Sequence, residues 1–420
     1  MMQGEQDDGR RLTVLIIAYA CEPHCGSEPG TGWNMVTRLA ESCNVTVVTR
    51  ANNQHAIESE LTAINRASIK FIYLDPPGTF LKLKKSGLLP TQGFYAIWQF
   101  LVAQYMWRKG LMGKFDLIHQ ITFNSFEIPP YAFLKKSKAK LVWGPVGGGQ
   151  TVSWNQLALF GKKGGIFEFM RNIRVKLSAR SPMCLLVMRH ADLVYFANLE
   201  TSKMLDSWTT GHVGMLIDVG VDSSKFQPRQ EGVKNVKPII LFGGRLEKRK
   251  GAILLLMSLL VLKKKGVPFE CHIVGSGPEE NRLKQFIQNN QLQENIKMLG
   301  AISHAEIVEE FKLADIFAFP SLRDTSGAIV LEAMATGLPS VCIDHQGGGV
   351  MIDDNCGLKI KSANIESMTS SLADAIRRLI DDPELRDNMG RSARRKVCDE
   401  YDWDVHISHV LDGYKKVLEA

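Results

Sequence analysis

Short apolar runs alternate along the chain with stretches in which apolar positions recur every three to four residues. Runs of the first kind, Leu12 to Ala20, Cys43 to Thr49, Ile69 to Leu74, Phe115 to Ile121, Lys140 to Val146, Asp192 to Ala197 and Val213 to Gly220, predict strands buried on both faces. The periodic stretches Pro29 to Ser42, Gln54 to Arg66, Phe94 to Leu111 and Phe167 to Arg189 predict helices. The rhythm restarts near Pro238, with strands at Pro238 to Gly243, Phe269 to Gly275, Ile296 to Gly300, Ile316 to Pro320 and Ser340 to Ile343, and helices from Lys250, Pro278, Ala305, Ser326 and Ile365. Strand and helix in alternation imply parallel sheets covered on both faces, hence an α/β chain of two Rossmann-like domains in tandem.

At 420 residues the chain is long enough for two cores. The polar stretch Gln230 to Pro238 is the expected boundary, giving a first domain over 12–232, a second over 238–400, a final helix over 401–420 and a disordered N-terminus over 1–11. A cleft between the halves is the default ligand site. The eight cysteines lack paired metal spacing and suit a reducing cytoplasm. Residues 1–11 lack the features of a secretory signal, and Phe94 to Met112, the nearest approach to a membrane span, is broken by Gln99, Gln104, Arg108 and Lys109.

Charge changes this picture at one place. Residues 81–190 hold 17 Lys or Arg against three acids, +14 within a chain of net +7. Solvated helix faces would account for this. Interleaving with Phe80, Leu88, Trp98, Trp107, Phe160, Phe167 and Met170 points instead to an anionic membrane surface or a polyanionic ligand. No zinc finger or RNA-recognition signature supports nucleic acid.

Three stretches carry chemistry. Phe242-Gly243-Gly244-Arg245 through Lys250-Gly251 is a strand, two glycines, a basic loop and a helix start, in which Arg245 and Lys250 can clamp a diphosphate. Val274-Gly275-Ser276-Gly277-Pro278 follows the next strand but has Glu280 where a dinucleotide fingerprint needs its third glycine, which disfavours a nicotinamide dehydrogenase. Gly300 ends the strand after it and faces the same cleft, or serves a structural turn. In Phe319 to Pro339, Asp324 lies in a loop before a helix and Glu332 one to two turns inside it, with Gly327 between them, so two carboxylates eight apart can address one ligand. An N-cap role for Asp324 and a salt-bridged core role for Glu332 are the structural alternatives.

In these motifs the sequence resembles the retaining glycosyltransferases of family 4, which have the GT-B fold. That family carries Gly-Arg-Leu with a following Lys-Gly, the Gly-x-Gly-Pro turn, and two acids eight apart ahead of Ala-Met-Ala-x-Gly-x-Pro, all present here in order. Asp218 to Asp222, with Phe226 and Pro228, resembles the family's segment closing the first domain. The family's first acid is commonly Glu. Asp324 matches a branch with an Asp-x7-Glu motif that also shares Gly26-Ser27-Glu28-Pro29-Gly30, Arg50-Ala51-Asn52-Asn53 and Gly144 to Gly149.

The resemblance implies two Rossmann-like domains facing across a cleft, with the final helix crossing back to the first. It implies hexosyl transfer from a nucleotide-diphosphate sugar, UDP- or GDP-linked, to a glycan or lipid-linked acceptor in polysaccharide biosynthesis, with retention and without a metal or other cofactor. Glu332 would bind the donor ribose, Asp324 the sugar hydroxyls, Arg245 and Lys250 the diphosphate, with Gly30, Gly32, Gly244, Gly275, Gly277, Gly300 and Gly327 bringing backbone to the donor, and His119 would lie near the sugar. A lone strand-end histidine is otherwise more often structural. Asp402-Trp403-Asp404 imitates a metal-binding Asp-x-Asp but sits where a helix cap is expected, and Cys21 to Cys25 lacks a second ligand pair. The expected location is cytoplasmic, peripheral on the inner face of the plasma membrane. A nucleotide-sugar epimerase or hydrolase on the same fold, or a weakened binding scaffold, are the competing readings.

Overall fold

The computed structural model describes residues 10–64, 69–228 and 235–420. Of the expected N-terminal and boundary stretches, 1–9 and 230–234 lie outside these. Arg10 and Arg11, at the start, contact Asp116 and the Glu41 carbonyl.

The first half runs β1 (Thr13–Ile17), α1 (Ser27–Ser42), β2 (Asn44–Thr49), α2 (Gln54–Ile64), β3 (Ile69–Tyr73), α3 (Gly78–Lys85), α4 (Thr91–Arg108), β4 (Leu117–Gln120), β5 (Lys140–Val146), α5 (Gly161–Ser178), α6 (Pro182–His190), β6 (Leu193–Phe196), α7 (Leu199–Leu205) and β7 (His212–Met215). The second half runs β8 (Ile239–Gly243), α8 (Ala252–Lys264), β9 (Glu270–Val274), α9 (Glu280–Asn289), β10 (Ile296–Gly300), α10 (His304–Leu313), β11 (Ile316–Phe319), α11 (Ala328–Ala335), β12 (Ser340–Ile343), α12 (Gln346–Met351), β13 (Gly357–Ile360), α13 (Ile365–Asp381), α14 (Pro383–Lys396) and α15 (Trp403–Glu419).

Each half builds one wholly parallel sheet, ordered β3-β2-β1-β4-β5-β6-β7 in the first and β10-β9-β8-β11-β12-β13 in the second. The central strands are buried end to end because helices cover both faces. Strand order reverses between β1 and β4 in one sheet and between β8 and β11 in the other, and the carboxyl ends of such strand pairs are where this architecture holds ligands.

Two departures from the sequence expectation shape the site. The single helix expected over Phe167 to Arg189 is two, because Ser181 caps a new helix by accepting from the Cys184 N–H while Pro182 takes the first helical position. The segment between β5 and α5 also leaves its own domain: Val152, Leu159 and Phe160 insert into the core of the second half, beside Leu246, Ile253 and Met368.

The final helix crosses back as expected. Trp403, Ile407, Val410, Tyr414 and Val417, at helical spacing, pack in the same core as Val14, Ile16 and Leu39. Asp402 caps that helix by accepting from the Asp404 N–H at 3.1 Å, and its other oxygen takes the Ser223 N–H and hydroxyl at 3.0 and 2.6 Å.

Candidate functional site

The loops after β8 and β11 are joined at the switch point of the second sheet. The Arg249 carbonyl accepts from the Leu322 N–H at 2.7 Å and the Ser321 hydroxyl at 3.2 Å. A Cβ on Gly251 would lie 2.0 Å from the Pro320 carbonyl oxygen, so only glycine permits this approach. The joined loops set the Lys250 ammonium directly on Asp324 Oδ2, each side chain 14% exposed, while Arg249 Nη1 reaches Oδ1 at 3.5 Å. Lys250 thus has one ionic partner and further donors to offer an incoming anion.

Beside this pair the turns after β8 and β9 interlock. The Leu246 N–H donates to the Ser276 carbonyl at 2.9 Å, and Gly275, at φ +127°, leaves room for the Gly244 carbonyl, which a Cβ there would meet at 1.9 Å. Gly277 makes the same allowance for the Leu246 carbonyl. Gly244 and Gly300 have open faces, with nothing within 4 Å of a built Cβ. Gly327 instead turns against the Phe319 ring as it starts α11. Glu332, on α11, faces His304 Nε2 at 3.6 Å, and this carboxylate is the main cause raising the imidazole pKa.

The expected two-sided clamp is not assembled here. Lys250 points inward, whereas Arg245 is 71% exposed and turned to Glu247 Oε1 at 3.0 Å. Gly30 and Gly32 are inside α1, where a Cβ would strike the Cys25 carbonyl oxygen at 1.9 Å and the Ala20 carbonyl oxygen at 2.1 Å, so they seat the helix against the preceding chain rather than present a cradle.

His119 corrects the expectation most clearly. It is fully buried, with Nδ1 2.7 Å from the Tyr414 hydroxyl and Nε2 2.8 Å from the Gly144 carbonyl oxygen. A carbonyl only accepts, so Nε2 carries the hydrogen and Nδ1 accepts from Tyr414. Burial holds its pKa down at about 4. The ring pins α15 to the first sheet, and no position remains on it for a sugar.

Residues outside the expected set complete the cleft. Glu28, in the first turn of α1, accepts from the Phe123 N–H just beyond β4, which bridges the switch point of the first sheet. Burial pushes its carboxyl up to about 7, with Asp218 adding to the effect. Asp218 is half-buried, its pKa also raised by burial, and it takes the Ser326 hydroxyl from the loop ahead of α11.

Gln346 fixes the Asp324 loop from both sides. Its Oε1 accepts from the Asp324 N–H at 2.7 Å, its own N–H donates to Glu200 Oε1 at 2.9 Å, and its Nε2 donates to the Thr151 carbonyl at 3.2 Å. Arg323 pairs with the buried Glu168 of α5 at 3.1 Å, and Arg171 flanks the same carboxylate at 4.0 Å. Glu28 and Asp218 lie in motifs visible in the sequence, whereas nothing local marks Glu168 or Gln346. Among the described residues no group of three or more His, Cys, Asp or Glu is placed to hold a metal ion.

Residues 223–396 match the family model described as glycosyl transferases group 1. Alpha-D-kanosaminyltransferase of Streptomyces kanamyceticus is 28% identical over 201 residues, covering 48% of this chain and 51% of that protein. The putative colanic acid biosynthesis glycosyltransferase WcaL of Escherichia coli is 31% identical over 196 residues, 45% of this chain and 47% of that one. The chain thus spans about half the length of the curated relatives it matches. Among solved structures, Anabaena HepE in complex with UDP superposes with a TM-score of 0.64 at 16% identity, covering 96% of this chain and all of that one. A glycosyltransferase from Rickettsia africae gives 0.63 at 18% identity over 97% and 99%. At these identities the likeness is one of fold, and the fold is GT-B.

Proposed function

This chain belongs, through residues 223–396, to the glycosyl transferases group 1, and from that premise we propose that it moves a sugar from a nucleoside-diphosphate sugar to a glycan acceptor of envelope polysaccharide. The observation that carries the reading is Lys250 against Asp324 at the carboxyl ends of β8 and β11, beside the open turns Gly244 and Gly300. WcaL, named for colanic acid biosynthesis, and HepE, solved with UDP, support the substrate classes.

In this reading the diphosphate lies along the Gly244 turn, where Lys250 binds it and Arg245 swings from Glu247 to close the other side. Both cations stabilise charge as the phosphate departs, a task a divalent ion performs elsewhere, so turnover is metal-independent. Asp324 takes the sugar hydroxyls and Glu332 the ribose, exchanging His304 for the donor. The acceptor enters from the first domain, past Glu28. Its oxygen bonds to the anomeric carbon on the face from which the phosphate leaves, the carbon–phosphate-oxygen bond breaks, and the acceptor proton passes to the departing phosphate. Configuration is thereby retained. The basic excess of residues 81–190 supports a peripheral position at an anionic membrane; no helix among the described residues is long and apolar enough to cross one.

The test is release of nucleoside diphosphate from a panel of UDP- and GDP-sugars, with and without acceptor glycan, followed by proton NMR of the product anomer. Acceptor-dependent release, an unchanged anomer and indifference to EDTA are expected. Release that ignores the acceptor makes the protein a hydrolase, and an inverted product removes the same-face mechanism.

A further inference from the structure

The outer face of α5 is built unlike the rest of the surface. Ile166, Phe167, Met170, Ile173 and Leu177 are each 37 to 66% exposed. At 3.6 residues per turn four of them fall within an arc of about 60°, with Phe167 about 60° further round. Trp154, 71% exposed with its ring tilted against that of Phe169 at 4.6 Å between centroids, extends this apolar surface. Exposed Lys162 and Lys176 border one side of the four, with Arg180 just past the helix end, and Lys163 and Arg174 border the other, between them and Phe167. Of these, Arg174 meets Glu127 at 3.1 Å. The helix has one acid, Glu168, and it is turned inward to Arg323.

We propose that this face of α5 docks the protein on an anionic lipid bilayer, with the apolar stripe inserted at the head-group level and the flanking cations on lipid phosphates. An apolar stripe edged on both sides by cations and free of outward acids is the pattern of a helix lying in a membrane interface, and Trp154 is the side chain most at home there. A second copy of the chain is disfavoured by charge, since a symmetric contact through this stripe would set the flanking cations against each other. The inner face of the same helix holds Arg323, next to Asp324, so the bilayer contact and the donor loop share one rigid element.

The structure also narrows which basic residues count. Lys84, within the +14 segment, turns inward, 4.6 Å from the Phe94 ring centroid and 3.4 Å from the Tyr19 hydroxyl, and burial lowers its pKa. It is not part of a lipid surface, whereas the α5 lysines are.

The inference deepens the membrane position proposed above and rests on it. Its test reads binding alone, so docking can fail while sugar transfer to a soluble acceptor stands, and the reverse. Full-length protein is cosedimented with vesicles of pure phosphatidylcholine and of phosphatidylcholine with about 30% phosphatidylglycerol, in low and high salt. Binding is expected only to the anionic vesicles and should weaken with salt. Lys162→Gln/Lys163→Gln/Lys176→Gln should lower the partition coefficient at least about tenfold, and Phe167→Ser/Met170→Ser should abolish sedimentation, while Lys84→Gln leaves it unchanged. Absence of binding overturns the proposal, as does binding untouched by the α5 substitutions. A dimer in light scattering that Phe167→Ser/Met170→Ser disperses would give the face to a second copy and equally overturn it.

Discussion

Replacing His119 by Ala separates a structural role from a catalytic one. The substitution empties an imidazole-sized space between β4 and α15 and strands the Tyr414 hydroxyl and the Gly144 carbonyl without their partner. Buried groups left unpaired cost about 1–3 kcal/mol each, and the cavity adds to this, so a loss of about 3 kcal/mol is expected. For a domain of this size that lowers the melting temperature by roughly 6–12 °C. The pH dependence gives a second signature. The folded-state pKa is held at about 4 against an ordinary 6.5, so the neutral ring contributes stability above 6.5 that is lost as pH falls towards 4. The full amount is about 3 kcal/mol at one pKa unit to 1.36 kcal/mol. His406, held at about 3 chiefly by burial, titrates in both proteins, and the substitution removes only the smallest cause of its shift, the charge on His119. The gap between wild type and His119→Ala should therefore be large at pH 7.5 and mostly closed at pH 4.5 in thermal melts followed by circular dichroism. Nucleoside diphosphate release at a permissive temperature should stay within a few fold of wild type. A variant that melts like wild type but has lost turnover would refute the structural assignment and return His119 to the chemistry.

Four further outcomes rest on the same geometry. Glu28, raised by burial to about 7 from 4.5, costs stability as pH rises through that window; Glu28→Gln should be more stable than wild type at pH 8 by up to about 3 kcal/mol, seen as a higher melting temperature, and not at pH 4.5, and an equal effect at both would show that the carboxyl is not desolvated. Glu168→Gln leaves Arg323 and Arg171 without their buried counter-charge, and calorimetry should show a loss of about 3–5 kcal/mol together with a raised donor KM; a neutral result would mean the interdomain pair does not hold the Asp324 loop. Lys250→Ala should lower kcat/KM by about 10²-fold or more while the distant Lys284→Ala does not, and Asp324→Glu should keep part of the activity that Asp324→Ala loses. Lys248 and Arg249 are poor controls, because Lys248 holds the Phe160 carbonyl at 2.7 Å and Arg249 reaches Asp324.

The parallel strands were legible because burial on both faces leaves continuous apolar runs, and Lys140 to Val146 and Ser340 to Ile343 form as read. The edge strand Gly357–Ile360 was not, being four residues long with Lys359 inside it, and neither was α14, whose surface is mostly polar. At the site, what lies within one motif could be read: the glycine turns after β8 and β9, and the placing of Asp324 in the loop before α11 with Glu332 inside that helix. What depends on chain crossing could not. Phe123 meets Glu28 across 95 residues, Ser326 meets Asp218 across 108, and Arg323 meets Glu168 across 155. His119 was misplaced for the same reason, since its partner is 295 residues away on a helix whose docking no local pattern reveals.

The central claim is that a nucleoside diphosphate is held at the switch point of the second sheet by Lys250. Isothermal titration of UDP and of GDP into the purified full-length protein tests it without needing the acceptor. Saturable one-to-one binding of at least one of them is expected, weakened about tenfold or more in Lys250→Ala and unchanged in Lys284→Ala. Binding of neither nucleotide, or equal binding by wild type and Lys250→Ala, would contradict it.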